Sequence, residues 1–276
     1  MEINNLSYTY KNTDKEVLKD ITCKIKQGEI TCIIGKNGSG KTTLLELLAN
    51  LRIPTEGEIK YQKYSINKDS SLLGHDFWFE VSYCSISNDN LLNTSIRDNF
   101  MLRLKQFNYN ASKIKERVIN SLKMLELDES YLEKNVKDLS HGEKLKIQIA
   151  YSLLQNPKVL LIDNPTVSLD EKGTKNLIRI IKLLKRRYNK TIVIATNDME
   201  FVNKIADRVI LLDKTKIVLD DGKYEVFKQE DKIKKLNILP PKTIAFSNKV
   251  LKEKNIKIGY RDEINDLIKD IYRYVK

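Results

Sequence analysis

Cysteine is scarce in this chain: Cys23, Cys32 and Cys84 are all there is, at spacings that pair none of them. This argues against a disulfide framework and for a reducing compartment. Histidine is scarcer still, with His75 and His141 alone, so an imidazole-built zinc site has almost nothing to draw on. No apolar run reaches the roughly 20 residues that span a bilayer, and no signal peptide opens the chain. The expectation is a soluble protein, or one peripheral on a membrane subunit supplied by another chain. Charge of one sign is in excess, 49 Lys+Arg against 37 Asp+Glu for a net +12. An acidic membrane surface or a nucleic acid would suit that balance. No basic run is interleaved with aromatics, however, as single-strand binders require. The excess therefore reads as solvated faces of a Lys-, Asn- and Ile-rich chain, and no nucleic acid is expected. The 276 residues suffice for one large or two modest domains.

What is present centres on Gly35-Lys36-Asn37-Gly38-Ser39-Gly40-Lys41-Thr42, of the form G-x-x-x-x-G-K-[ST]. Backbone N–H groups of such a loop cradle phosphates, and its glycines let the backbone come close. Lys41 is placed to reach the β- and γ-phosphates, and the Thr42 hydroxyl to ligate Mg²⁺. Apolar Glu29–Ile34 reads as a buried strand entering the loop. Thr43–Ala49 reads as a helix leaving it, its N-terminus aimed at the anion. The alternative is a plain Gly-rich turn between strand and helix.

Around this centre, residues 2–10 read as an edge strand with Tyr8 and Tyr10 on one face, and 17–25 as a second strand. Tyr10 is the candidate to stack on a purine base, although a strand tyrosine also serves as plain packing. A turn and strand follow at 54–59, an irregular segment to about 79, and a short strand at 81–86 broken by Ser87-Asn88-Asp89-Asn90. From Ile96 to about Ala150 the period is helical. Asn110 can cap the Ile114–Leu125 stretch, and Ser140 with Glu143 forms a capping box. Apolar strands at 157–163, 191–196 and 208–212 alternate with helices, of which 175–188 is amphipathic. Such strands imply a parallel sheet covered on both faces.

The order of these motifs resembles the ATP-binding subunit of ABC transporters over residues 1 to about 225. Leu139-Ser140-His141-Gly142-Glu143 is similar to the family's L-S-G-G-Q signature. Leu160-Leu161-Ile162-Asp163-Asn164-Pro165-Thr166 is similar to its Walker B strand, Ser168-Leu169-Asp170 to the loop beyond, and Ala195-Thr196-Asn197-Asp198 to its switch segment. The tail, with Leu239-Pro240-Pro241, resembles the C-terminal extension of energy-coupling-factor (ECF, cobalt/vitamin uptake) ATPases. The resemblance implies an α/β P-loop NTPase fold with a RecA-like parallel-sheet core, an N-terminal antiparallel β element and an inserted helical subdomain at about 88–155. Residues 226–276 would form a mostly helical extension. It implies ATP and Mg²⁺ as ligands, the metal held by Thr42 and Asp163. Nucleotide contacts would come from Tyr10 and from Gly35, Lys36, Asn37, Gly38, Ser39, Gly40, Lys41, Thr42 and Thr43. Ser140 and Gly142 would meet a partner subunit's nucleotide. A second ATPase subunit and a transmembrane subunit follow as partners, with the protein cytoplasmic at the inner face of the cell membrane.

The chain departs from that pattern at the groups that drive hydrolysis. Asn164 stands where the resemblance implies a water-polarising glutamate, and an amide is no base near neutral pH. Asn197 replaces the switch histidine. Ile86 falls near the usual glutamine, with Asn88 or Asn90 as alternative occupants. His141 and Glu143 alter the signature itself, adding bulk and negative charge. The expectation is MgATP binding with little intrinsic hydrolysis, complemented by an intact partner. A non-hydrolysing nucleotide-gated module and an ordinary ATPase with compensating residues are the alternatives. An engineered substitution at Asn164 is a further reading, against which the other departures weigh.

Overall fold

The computed structural model describes residues 1–11, 15–73, 75–85, 91–107, 109–167 and 169–275. The chain opens with β1 (Glu2–Thr9), β2 (Glu16–Lys24) and β3 (Ile30–Gly35), then α1 (Lys41–Leu48), β4 (Glu56–Tyr61), β5 (Tyr64–Asn67) and the single-turn α2 (His75–Trp78). β6 (Val81–Ser85) leads to a helical run of α3 (Ile96–Lys105), α4 (Ala111–Met124) and α5 (His141–Leu153). β7 (Val159–Asp163), α6 (Glu171–Tyr188), β8 (Thr191–Ala195), α7 (Met199–Ile205), β9 (Arg208–Asp213) and β10 (Lys216–Gly222) follow. The chain ends in α8 (Lys223–Lys228), α9 (Glu230–Lys235), α10 (Lys242–Lys254) and α11 (Ile264–Val275).

Two sheets result. One is four-stranded and antiparallel, in the order β2-β1-β4-β5; the other has six strands in the order β10-β9-β3-β8-β7-β6, with β10 antiparallel at one edge. β3, β7 and β8 are buried along their whole length, which their unbroken apolar sequences require. Alternation along them splits the core in two. Cys32, Ile34, Leu160, Ile162, Ile192 and Ile194 face α3–α7, whereas Ile33, Val159, Leu161 and Val193 face α1 and the antiparallel sheet. α1 is thus enclosed between the sheets.

Two local expectations are corrected. β1 is not an edge strand: β2 pairs with it on one side and β4 on the other. Period-two alternation reports faces, not neighbours, and β4 returns only after some 50 residues. Nor is the stretch to residue 79 irregular, since β4 and β5 form a hairpin and α2 adds one helical turn. The hairpin turn has Gln62 at φ 52, a left-handed conformation without the Gly or Asn that usually advertises one.

Val226, Phe227, Ile233, Ile238 and Ile244 join the same core as the parallel sheet's helices. α7 clamps the start of α10: the Lys242 N–H donates to Glu200 Oε1 at 2.8 Å and Asn203 Nδ2 to Thr243 Oγ1 at 3.3 Å. Cys32 and Cys84 are buried and Cys23 is half-buried, and burial pushes Cys23 and Cys84 up to about 12. Among the described residues no helix is long and apolar enough to cross a membrane.

Candidate functional site

The loop between β3 and α1 takes the shape that its glycines permit. Gly35 has φ 152, and a Cβ there would lie 2.3 Å from the Leu212 carbonyl oxygen. Gly40, at φ 95, is the N-cap of α1 with no side-chain cap bond and no acidic residue in the first turn. The helix therefore presents uncapped N–H groups and the positive end of its dipole to the cleft. Lys41 is only 5% exposed. Its Nζ donates to the Gly35 and Lys36 carbonyls at 2.8 and 2.9 Å. Burial lowers its pKa, and the Asp163 carboxylate opposes that shift. Ser39 Oγ is buried in the same loop with no hydrogen-bond partner, the state of a cradle whose ligand supplies the missing oxygen.

At the end of β7, Asp163 Oδ2 accepts from Thr42 Oγ1 at 2.8 Å and Oδ1 accepts from Asn164 Nδ2 at 2.9 Å. Burial raises the Asp163 pKa, while the Thr42 hydrogen bond and Lys41 pull it back. A carboxylate beside a hydroxyl is a hard oxygen donor pair, which fits Mg²⁺ completed by phosphate oxygens and water. No cluster of three or more His, Cys, Asp or Glu suited to a metal occurs among the described residues, and such a Mg²⁺ needs none. Asn164 sits at φ 49, its N–H bound to the Ala195 carbonyl at 2.8 Å. Asn197 Nδ2 donates to Asn37 Oδ1 at 2.5 Å, tying the segment after β8 to the loop.

Tyr10 and Thr43 share a hydrogen bond of 3.0 Å between hydroxyls. The Tyr10 ring has the edge of Tyr8 at 5.1 Å and the Arg52 guanidinium at 4.8 Å, and Arg52 is ion-paired with Glu46. An open cleft of about 640 Å³ gathers Tyr10, Lys36 to Thr43 and Asn164. It also takes in Lys15, Glu16, Val17, Asp213, Lys214 and Thr215, which sequence reasoning missed. A bond from the Lys19 N–H to the Thr215 carbonyl at 2.8 Å brings the β9–β10 turn there, and nothing local in the sequence signals it. Gly35 lines a neighbouring cleft of about 550 Å³ with Lys36, Asn197, Leu239 and Pro240. Ile86, Asn88, Asn90 and Ser168 lie outside the described residues.

Ser140 and Gly142 are elsewhere, in a cleft of about 540 Å³ between the heads of α5 and α6 that shares no residue with the first. The capping box is formed: Ser140 Oγ accepts from the Glu143 N–H at 3.3 Å, and Glu143 Oε2 from the Ser140 N–H at 3.0 Å. Glu143 Oε1 accepts from Tyr131 Oη at 2.9 Å and Lys134 Nζ at 3.1 Å. The hydrogen bonds from Ser140 are the main cause holding its pKa down at about 2. The negative charge expected to trouble this site is therefore matched locally by Lys134. A Cβ on Gly142 would meet nothing within 4 Å.

The family model for ABC transporters matches residues 18–167. The chain belongs to the ABC transporter family. Within it, the chain is an ATP-binding subunit of ECF-like type, with the α/β fold of a P-loop NTPase. The energy-coupling factor transporter ATP-binding protein EcfA2 of Clostridium perfringens is 33% identical over 264 residues, covering 94% of this chain and 92% of that protein. The methionine import ATP-binding protein MetN of Francisella tularensis is 36% identical over 229 residues, covering 82% of this chain and 65% of that protein. Among solved structures, cbiO1 from Clostridium perfringens, part of the ABC transporter complex cbiONQ, superposes with a TM-score of 0.74 at 28% identity, covering 86% of this chain and 93% of that one. A dimeric ATP-binding cassette, MJ0796, in a post-hydrolysis state with ADP and Pi, gives 0.69 at 28% identity, covering 80% and 97%.

Proposed function

We propose that this subunit binds MgATP in the Tyr10–Thr43 cleft, hydrolyses it slowly if at all, and drives transport through pairing with an intact ATPase subunit and a transmembrane component. The observation that carries this reading is at Asn164. Its amide donates to Asp163, so the position beside the metal pair holds a donor where hydrolysis needs a proton acceptor. Lys41 and the open N–H groups of α1 would take the phosphates, Thr42 and Asp163 the metal, and the Tyr10 ring the base. Bound Mg²⁺ supplies charge neutralisation at the phosphates; Thr42 and Asp163 would orient it, and Asn197 would donate to the terminal phosphate once released from Asn37.

Pairing is supported by the separation of the two clefts, since Ser140 and Gly142 share no cavity with the chain's own phosphate loop. It is supported too by the dimeric state of the MJ0796 cassette. The complex named for cbiO1 supports partners of other kinds. In this reading the protein works in the cytoplasm at the inner face of the membrane, and the helices from α8 onward form an extension on the cassette. The deciding experiment measures MgATP binding and phosphate release by the purified chain, alone and mixed with an intact ATPase subunit. Binding without turnover alone, and turnover in the mixture, is the expected result. Brisk turnover by the chain alone would overturn it.

A further inference from the structure

Next to the Asp163 carboxylate lies a tyrosine oriented against its own chemistry. Tyr83 is partly exposed on β6, and its ring packs on the core beneath α1. Tyrosines placed this way ordinarily turn the hydroxyl to water and bury the ring. Here the hydroxyl is the buried end, and it has no hydrogen bond of ordinary geometry. Such groups are rare because an unpaired buried hydroxyl is costly, so each calls for a reason.

The strand register supplies one. Tyr83 pairs with Leu161 and Ser85 with Asp163, so Tyr83, Ser85 and Asp163 share the sheet face that looks onto α1. Two residues along a strand span roughly 6.6 Å, which is the reach of a tyrosine side chain laid along it. The hydroxyl consequently ends beside the Asp163 carboxylate and Ser85. Asp163 has lone pairs for more donors than the two it accepts, Thr42 on one oxygen and Asn164 on the other. Glu46, which also faces this pair from α1, has its charge matched by Arg52.

We propose that Tyr83 is a positioning residue for the metal pair, its hydroxyl closing on Asp163, or on a water at that carboxylate, when Mg²⁺ accompanies the nucleotide. The inference rests on reading Thr42 and Asp163 as the metal ligands. It assigns to β6 a hydroxyl that steadies the carboxylate from the strand just before Ile86.

The test uses the full chain, a fluorescent ATP analogue and a Mg²⁺ titration, with Tyr83→Phe as the variant. That change removes one oxygen and keeps the ring. The Mg²⁺ concentration for half-maximal binding should rise about 3- to 10-fold, the worth of one hydrogen bond. Affinity in EDTA should stay as in the parent, and the melting temperature without nucleotide should stay or rise, because the variant removes an unpaired buried hydroxyl. An unchanged Mg²⁺ requirement, or an equal loss in EDTA, would overturn the proposal. Asp163→Asn separates this failure from that of the underlying reading. If it abolishes the Mg²⁺ dependence while Tyr83→Phe does nothing, Tyr83 alone has been misassigned. If Asp163→Asn also leaves the dependence intact, the metal pair falls and the Tyr83 proposal with it.

Discussion

α1 and α5 both offer an anion the head of a helix, and their states of readiness are opposite. α1 starts at a glycine, with no side chain across its first N–H groups and no acid in its first turn. α5 starts at Ser140 in a closed capping box, with Glu143 bonded back to Ser140 and outward to Tyr131 and Lys134. The first helix has no side chain on its leading donors; the second ties the Glu143 N–H and the Ser140 N–H into its own cap. Helix dipoles are alike, so what distinguishes a phosphate site from a stable helix start is which residue sits at the cap. In the proposed pairing, one chain would hold a nucleotide firmly at the first helix and offer a more self-contained surface to its partner's nucleotide at the second.

Asn164→Glu would sharpen the contrast most, by asking whether α1's readiness extends from binding to chemistry. A restored base should raise ATP turnover in the paired assembly about 10²-fold, the lower end of what a positioned base contributes. Steady-state phosphate release measures this, and no increase would mean that Asn164 is not what limits the site. Lys41→Ala would break the prepared end. Charge-assisted hydrogen bonds of this kind are worth about 1.5–3 kcal/mol, so MgATP affinity should fall about 10- to 100-fold by fluorescence titration. A change under threefold would show that the open N–H groups suffice by themselves.

Glu143→Ala, the smallest of the three, would open the closed end. Loss of the cap should cost about 1 kcal/mol and lower the melting temperature about 2–4 °C. The pH dependence has a definite sign. The Glu143 pKa is held near 2 in the folded chain, below its ordinary 4.5. Its stabilisation is therefore complete above the ordinary value and drains away as pH falls towards 2. Between those values the variant should lose less stability with falling pH than the parent, and superimposable acid-unfolding curves would contradict this account.

Much of this was legible in the sequence where the signal is local. The spacing of Gly35, Gly40, Lys41 and Thr42 foretold the loop, and the unbroken apolar runs the buried strands. Asn110 caps α4 and Ser140 caps α5 as their side chains dictate. What escaped depends on residues far apart in the chain. The place of β1 inside its sheet is decided by β4. The Asn37–Asn197 bridge joins positions 160 residues apart. Glu143 read as an intruding charge because the neighbours that neutralise it, Tyr131 and Lys134, come from the preceding turn and leave no periodic mark. The β9–β10 turn reaches the cleft of Tyr10 and the Gly-rich loop through one backbone bond to β2. Position along a helix or strand is written in single residues, whereas adjacency between elements is written only in the whole fold.

Lys41 has hydrogen-bond partners within the loop itself. Its ammonium rests on the Gly35 and Lys36 carbonyls, so a buried cation already has its counter-dipoles before any phosphate arrives. On the proposed binding, ligand entry would be an exchange of partners, carbonyl oxygens for phosphate oxygens, and departure the reverse. Neither state would then leave an unbalanced charge inside the protein. The lysine proposed to draw the nucleotide in would thus be held by the loop's own carbonyls between one ligand and the next.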